Sequence, residues 1–364
     1  MTDGLAAPRM MRWIKRIVVL AFVIAIAAGA GAWLIHTRTM EPYRGYADPD
    51  VFVEIPSGTG PVGIGDRLVA AGVVRDALTF RAALLISGRA RALKAGEYRF
   101  DQPMAPLDVI DKIARGDVYK RLLTFREGLT IADMAQVFEE RGFGTRDAFA
   151  QAAKNVALVA DLDGQAKDLE GYLFPETYSL PRNTPATAVV EQMVAGFKNA
   201  LTEPMRAAAK EQGLTIRQLV TLASLVEKET AAAEERPIVA AVYRNRMKIN
   251  MGMQADPTVI YALQKAGQYH GNLTRDNLQF DSPYNTYKYP GLPPGPIASP
   301  GRASLAAAAT PANVDYLYFV SKNDGTHVFA STLAAHNKNV FTWQVEFFRK
   351  QKASGLRPQA SGKH

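Results

Sequence analysis

The longest apolar stretch in the chain runs from Ile17 to Ile35, nineteen residues without a formal charge and rich in Ile, Val, Leu and Ala. As a helix it rises roughly 28 Å, about the hydrocarbon thickness of a bilayer. Trp13 and Trp33 sit near its two ends, where aromatic rings favour the membrane interface. Arg9, Arg12, Lys15 and Arg16 precede the run and Arg38 alone follows closely. The positive-inside bias therefore predicts a cytoplasmic N-terminal segment, with everything after residue 40 outside the cytoplasmic membrane. Small-residue stretches such as Ala25-Ile26-Ala27 leave a cleaved signal peptide as the alternative. The run exceeds the usual apolar region of such peptides, about 7–15 residues, so a retained anchor is predicted.

Beyond a linker that ends near Pro49, the pattern changes to short elements. Val51 to Ile55 alternates as a strand does and Pro56-Ser57-Gly58 ends it; Gly96 to Phe100 is a second strand. Ile64 to Ala71, Ala77 to Ser87 and Pro106 to Arg115 read as short helices, the last with proline at its start. A weak echo links Gly63 to Leu68 with Thr130 to Ala135, each opening a helix after a strand-like segment. Strand–helix–helix–strand units of this kind resemble LysM-type glycan-binding modules; a small α+β adaptor is the alternative. From Leu122 helical stretches dominate to about residue 265, followed by dense Gly and Pro from Pro283 to Pro300. Tyr316 to Ser321 and Val328 to Ala330 read as strands and Ala334 to Lys350 as a closing helix. The expected fold class is α+β: residues 1–16 cytoplasmic, 17–35 transmembrane, 36–49 linker, 50–121 a LysM-like α/β subdomain, 122–350 a mainly helical α+β catalytic domain, and 351–364 a disordered basic tail.

The strongest amphipathic pattern runs from Thr215, read as its N-cap, to about Glu234. Ile216, Leu219, Val220, Ala223 and Val226 share one face at about 100° per residue, and Glu227 falls in the same arc. Glu229 points roughly 160° away from it. Glu227 is thus expected to be partly buried and Glu229 more exposed. A carboxyl on an apolar face loses solvation, which favours its protonated form, as a general acid needs near neutral pH. The alternative is an ion pair, for instance with Arg244 or Arg246.

Composition narrows the classes further. Apolar (48%) and charged (21%) fractions are those of a globular chain, and 364 residues suggest two or three folded units. The formal charge of +8 favours anionic surfaces. Basic residues do not interleave with aromatics in a stripe, so nucleic acid is not an expected partner. Cysteine is absent, which removes disulfides, thiolate metal sites and a Cys nucleophile. The five histidines lack metal-ligand spacing, and neither a phosphate cradle nor a nucleotide fingerprint is present; metal and cofactor are both expected to be none.

Ala223-Ser224-Leu225-Val226-Glu227-Lys228-Glu229-Thr230 is similar to the signature helix of the endolytic murein transglycosylases. Leu169 to Tyr178 upstream, and Gln254 to Val259, Tyr284 to Tyr287, Gly291 to Ile297, Tyr316 to Val320 and His336-Asn337 downstream, agree in order over roughly residues 50 to 347. Many members carry Glu before the His-Asn pair, where this chain has Ala335. The resemblance implies a lyase that cuts the β-1,4 bond between N-acetylmuramic acid and N-acetylglucosamine without water. Glu227 would protonate the leaving oxygen and then, as carboxylate, deprotonate the muramic C6 hydroxyl to close a 1,6-anhydro ring. An internal nucleophile removes the need for a hydrolase's second carboxylate.

The resemblance also places Gln254 and Asp256 near the cleft, though Asp256 before Pro257 equally suits a turn. Tyr284, Asn285, Thr286 and Tyr287 combine rings, amide and hydroxyls in a mixture suited to sugars; a rigid loop packed on the core is the alternative. Glu176 could line the cleft or cap the next segment. The run Pro293-Pro294-Gly295-Pro296 suggests a stiff cleft wall. His327 and His336 are weaker candidates. The expected partners are peptidoglycan strands, the cytoplasmic membrane and peptidoglycan synthases near which growing strands are terminated. The expected location is the inner membrane, single-pass, with a periplasmic catalytic domain. A non-catalytic peptidoglycan-binding scaffold is the rival from another class; a cytosolic lyase conflicts with the anchor.

Overall fold

The computed structural model describes residues 7–230 and 232–353. The predicted tail therefore lies outside the described residues from 354 onward. The chain is a mixed helix and sheet protein that divides into two compact units, one reaching to Arg121 and including Leu180–Asn183, the other comprising Leu122–Ser179 and the chain from Thr184 onward.

The first unit opens with α1 (Ala7–Met40). Within it Trp13–Met40 is long and apolar enough to cross a membrane, and its window is wholly exposed. Then follow β1 (Val51–Ile55), α2 (Pro61–Ala70), α3 (Ala77–Ser87), β2 (Gly96–Phe100) and α4 (Pro106–Arg115). β1 and β2 pair antiparallel, Val51 opposite Phe100 and Ile55 opposite Gly96. Their alternation turns Val53, Ile55, Tyr98 and Phe100 inward onto Ile64 and Leu68 of α2, Phe80 and Leu84 of α3, and Val109, Ile110 and Ile113 of α4. Asp76 caps α3 by accepting from Thr79 N, and Gly88 ends it in the left-handed conformation. β3 (Lys120–Thr124) closes the stretch, and the division between units falls inside it.

The second unit continues with α5 (Ile131–Glu140), α6 (Arg146–Ala152), β4 (Thr177–Pro181, its last two residues counted with the first unit), α7 (Ala186–Ala200), α8 (Glu203–Glu211), α9 (Ile216–Glu229), α10 (Arg236–Lys248), α11 (Asp256–Lys265) and α12 (Arg302–Ala309). After β5 (Tyr318–Ser321) and β6 (His327–Ala330) come α13 (Leu333–Val340), a π-helical turn (Phe341–Glu346) and α14 (Phe347–Ala353). The single closing helix expected from Ala334 to Lys350 is thus interrupted.

The expectation for α9 needs correcting. Leu219 to Val226 are all buried, because α8, α10, α11 and α12 pack around the helix. An apolar stripe on one face understates this: α9 is the central rod of its unit. It also stops earlier than Glu234. Thr230 takes extended backbone and donates its Oγ1 to Glu235 Oε2 at 3.2 Å.

Candidate active site

α9 starts with a capping box. Thr215 Oγ1 accepts from Gln218 N, and Gln218 Oε1 accepts from Thr215 N at 2.9 Å. The last turn of the helix carries Glu227, whose side chain is 6% exposed. Its Oε2 accepts a hydrogen bond from Gly301 N at 2.9 Å. Its Oε1 lies 3.6 Å from Arg236 Nη2 at the start of α10. The arginine beside Glu227 is therefore Arg236. Arg244 and Arg246 are spent elsewhere, Arg244 Nη2 on Gln212 O (3.1 Å) and Arg246 Nε on Leu317 O (2.7 Å).

Two strips of backbone cover this end of α9. Gly128 N donates to Ser299 O at 2.9 Å and Ser299 N to Leu129 O at 2.8 Å, tying residues 128–129 to 299. Lys228 Nζ reaches Gly128 O at 3.1 Å. The first strip brings Glu127, which sequence reasoning missed. Its Oε2 lies 3.9 Å from the same Arg236 Nη2, and its side chain is 47% exposed against 6% for Glu227. Burial, then the charge of Glu227, hold the Glu127 carboxyl above its ordinary range, against the pull of Arg236. A Cβ at Gly301 would overlap Glu127 Oε1, so a side chain there would have to displace that carboxyl. With both carboxyls ionised the trio Glu127, Glu227 and Arg236 carries one uncompensated negative charge, which one proton neutralises.

Glu229 is half-buried rather than solvent-facing. It hydrogen-bonds Tyr243 and lies within electrostatic reach of Arg246 and Tyr287. Tyr287, 38% exposed, donates its hydroxyl to Asp256 Oδ1 at 2.6 Å at the start of α11. Gln254 is exposed and holds φ +49°, an uncommon conformation for a residue with a side chain, with its N–H on Thr286 O. Asn285 and Thr286 lie in the interior, 0% and 1% exposed. Asn285 Nδ2 donates to Leu278 O and Phe280 O, while Thr286 Oγ1 accepts from Ala255 N and meets Thr258 Oγ1 at 2.9 Å. These two hold the loop from behind, whereas Gln254 and Tyr287 are exposed and Asp256 and Tyr284 half-buried. Tyr284 packs on Tyr261, ring centroids 4.9 Å apart. Glu176 is exposed and precedes a strand, so it caps no helix; its carbonyl accepts from Phe125 N, two residues before Glu127. His327 Nδ1 sits 2.7 Å from Glu235 Oε2, a buried pairing. His336 stacks on Tyr318 at 5.0 Å, and burial followed by the charge of Arg246 lowers its pKa.

The proline wall is fixed to α9. Ile297 N donates to Ser224 Oγ at 3.1 Å and Arg217 Nη1 to Pro294 O at 3.4 Å. A pocket of about 480 Å³ lies along this wall, bounded by Arg217, Thr221, Leu292 and Pro293; another of about 340 Å³ borders Arg236. Among the described residues no cluster of three or more His, Asp or Glu is placed to hold a metal ion.

Behind the wall lies Glu170, 6% exposed, accepting from Ile131 N at 3.1 Å and from Tyr261 Oη at 3.3 Å. Burial, with the charge of Asp168, pushes its carboxyl up to about 8. The fold therefore holds this proton more tightly than the unfolded chain does. Its contribution is complete below the ordinary carboxyl range and is lost as pH rises toward about 8. Glu170→Gln, an isostere of the protonated form, is expected to flatten the decline in unfolding free energy between acid and pH 8 by roughly a few kcal/mol, and with it the decline in melting temperature. Parallel melts of both proteins across that range check it; equal slopes would contradict it.

Residues 53–342 match the model of the YceG-like family. The chain belongs to that family. It is 33% identical over 326 residues to the endolytic murein transglycosylase of Bacillus subtilis (strain 168), covering 85% of this chain and 89% of that one. It is 31% identical over 356 residues to the endolytic murein transglycosylase of Streptococcus pneumoniae serotype 2, covering 88% of this chain and 64% of that longer one. A crystal structure of a yceG-like protein from Listeria monocytogenes superposes with a TM-score of 0.55 at 30% identity, over 80% of this chain and 99% of the other.

Proposed function

We propose that this YceG-like chain is an endolytic murein transglycosylase, with Glu227 as its acid and base. The observation that carries the reading is the setting of that carboxyl. It is 6% exposed at the end of a buried helix, one oxygen held by Gly301 N–H and the other left facing Arg236 without a tight ion pair. The held oxygen fixes the rotamer; the other is free to give its proton to the glycosidic oxygen. As carboxylate, Glu227 then accepts the muramic C6 proton, so that C6–O bonds to C1 as the bond to the leaving sugar breaks. Arg236 balances the charge that appears on Glu227 between the two steps. Glu127, half-exposed on the same guanidinium, is the route by which the pair exchanges its proton with water. Exposed Gln254 and Tyr287, with half-buried Asp256, offer polar and aromatic contacts to the glycan, and Glu176 a further acceptor. The relatives' names support the same assignment.

The apolar span Trp13–Met40 suits a single-pass anchor in the inner membrane, with Lys15 and Arg16 on the cytoplasmic side and both folded units in the periplasm. Held there, the enzyme would meet glycan strands as synthases extrude them and would end them. The β1–α2–α3–β2 order of the first unit supports a LysM-like module that grips the strand. Purified full-length protein incubated with sacculi is expected to release fragments ending in 1,6-anhydro-N-acetylmuramic acid, one water lighter by mass than hydrolytic products. Reducing ends would instead indicate a hydrolase, and no cleavage would indicate a binding scaffold.

Glu127→Gln is expected to lower kcat/KM about tenfold and to remove one ionisation from the acid side of the pH–rate profile. Gly301→Ala should reproduce that profile, because its methyl displaces the mobile end of Glu127 from Arg236 at little cost in stability. An unchanged profile in both variants would remove Glu127 from the proton pathway.

A further inference from the structure

The first unit carries apolar surface that its own core does not use. On α3, Phe80, Ala83 and Leu84 face inward, yet Leu78 is 67% exposed, Leu85 84% and Ile86 51%. Leu78, Leu85 and Ile86 lie seven and eight residues apart, so they share the outer face of the helix. Between Ala77 and Ala95 the chain has Arg81, Arg89, Arg91 and Lys94, all exposed, and no acidic residue. An apolar face edged by basic side chains is what a helix lying in a phospholipid interface presents. On a protein surface such a face would stand open to water.

A second observation says which surface this helix meets. α3 packs against the outer end of α1, the same helix that carries the apolar span. Thr39 in the last turn of α1 is fully buried in this unit. Arg38 lies within electrostatic reach of Asp76, the cap of α3. Arg75, just before α3, pairs with Glu41 at 3.7 Å and stacks over Tyr43 at 5.0 Å. Trp33, Leu34 and Ile35, one to two turns before that junction, are exposed. The start of α3 is thus joined to the point where α1 leaves the apolar span, with no flexible spacer between them. We infer that α3 lies on the outer leaflet, Leu78, Leu85 and Ile86 entering the acyl boundary while Arg81 and Arg91 meet anionic headgroups. This rests on the reading of α1 as a membrane anchor. The docking gives the first unit a second attachment to the membrane, which a single helix followed by a loose linker would lack.

The absence of cysteine makes the test direct. Leu85→Cys and Ile24→Cys, each as the full chain with a nitroxide label, are reconstituted in vesicles of phosphatidylcholine and phosphatidylglycerol. The collision ratio of the label with oxygen against a water-soluble nickel chelate reads immersion. At position 85 the ratio is expected severalfold above that of free nitroxide in buffer, approaching that at position 24. A nickel-accessible label at 85 with an immersed label at 24 overturns the docking and leaves the anchor standing. A nickel-accessible label at 24 removes the anchor and the docking with it. Shielding of position 85 from both reagents indicates a protein occupant, a second copy or another chain, and overturns the lipid assignment.

Discussion

Glu227→Gln is expected to lower turnover on purified sacculi by about a thousandfold, with melting temperature little changed. The amide oxygen can still accept from Gly301 N–H, so the rotamer and the cover of residues 299–301 are preserved. What is lost is the proton. An amide can neither protonate the glycosidic oxygen nor take up the C6 proton, so both halves of the proposed reaction fail together. Arg236 keeps Glu127 as an acidic partner, which avoids a buried unpaired cation. Binding of strands should persist, because exposed Gln254 and Tyr287 are untouched. Rates from the release of anhydro-ended fragments, beside sedimentation with sacculi, separate the two effects. A variant that still cuts would move the acid elsewhere; a variant that neither cuts nor folds would leave Glu227 a structural carboxylate, and Glu227→Asp would then fail to fold as well.

Local signals in the chain carried the elements well. Val51 to Ile55, Ala77 to Ser87, Gly96 to Phe100 and Pro106 to Arg115 all form where alternation, helical spacing and turn residues place them. The placement of Thr215 as an N-cap also holds, since a side-chain cap depends on residues three positions apart. Long-range pairing was not legible. Glu127 and Gly301 lie 100 and 74 residues from Glu227, and no periodicity within one helix reports which distant loops will cover its end. The signal for Glu127 was its place beside Gly128, just before the Thr130 cap, where a glycine at φ +76° lets a loop pass close to α9. Asn285 and Thr286 show the converse limit. Their residue types suit sugar binding, yet the fold spends their polar atoms on internal backbone and hydroxyl partners. A single sequence does not distinguish a polar group facing solvent from one satisfied inside.

Gly171→Ala is expected to cost about 3 kcal/mol of stability. Gly171 holds φ +82°, where any side chain is strained, and a Cβ there would overlap the Pro296 ring and stand 2.9 Å from Val220 Cγ1. Neither neighbour can yield easily. Pro296 is a rigid ring in a wall pinned to α9 through Ile297 N and Ser224 Oγ, and Val220 is fully buried in α9 itself. Glu170 on one side is bound to Ile131 N, and Tyr172 on the other donates to Asp163 Oδ2 at 2.7 Å, so the glycine has no slack along the chain. Gly213→Ala supplies the control, since φ is +70° there and nothing lies within 4 Å of the added methyl. It should lose about 1 kcal/mol from backbone strain alone, and the difference between the two variants isolates the packing. The displaced wall leads within a few residues to Ser299 and Gly301, the strip that covers Glu227. Gly171→Ala is therefore expected to lower kcat even where it remains folded, whereas Gly213→Ala should leave kcat unchanged. Urea denaturation of both, with rates measured well below their midpoints, checks the pair; equal losses of stability would mean that the wall yields freely and does not fix the site.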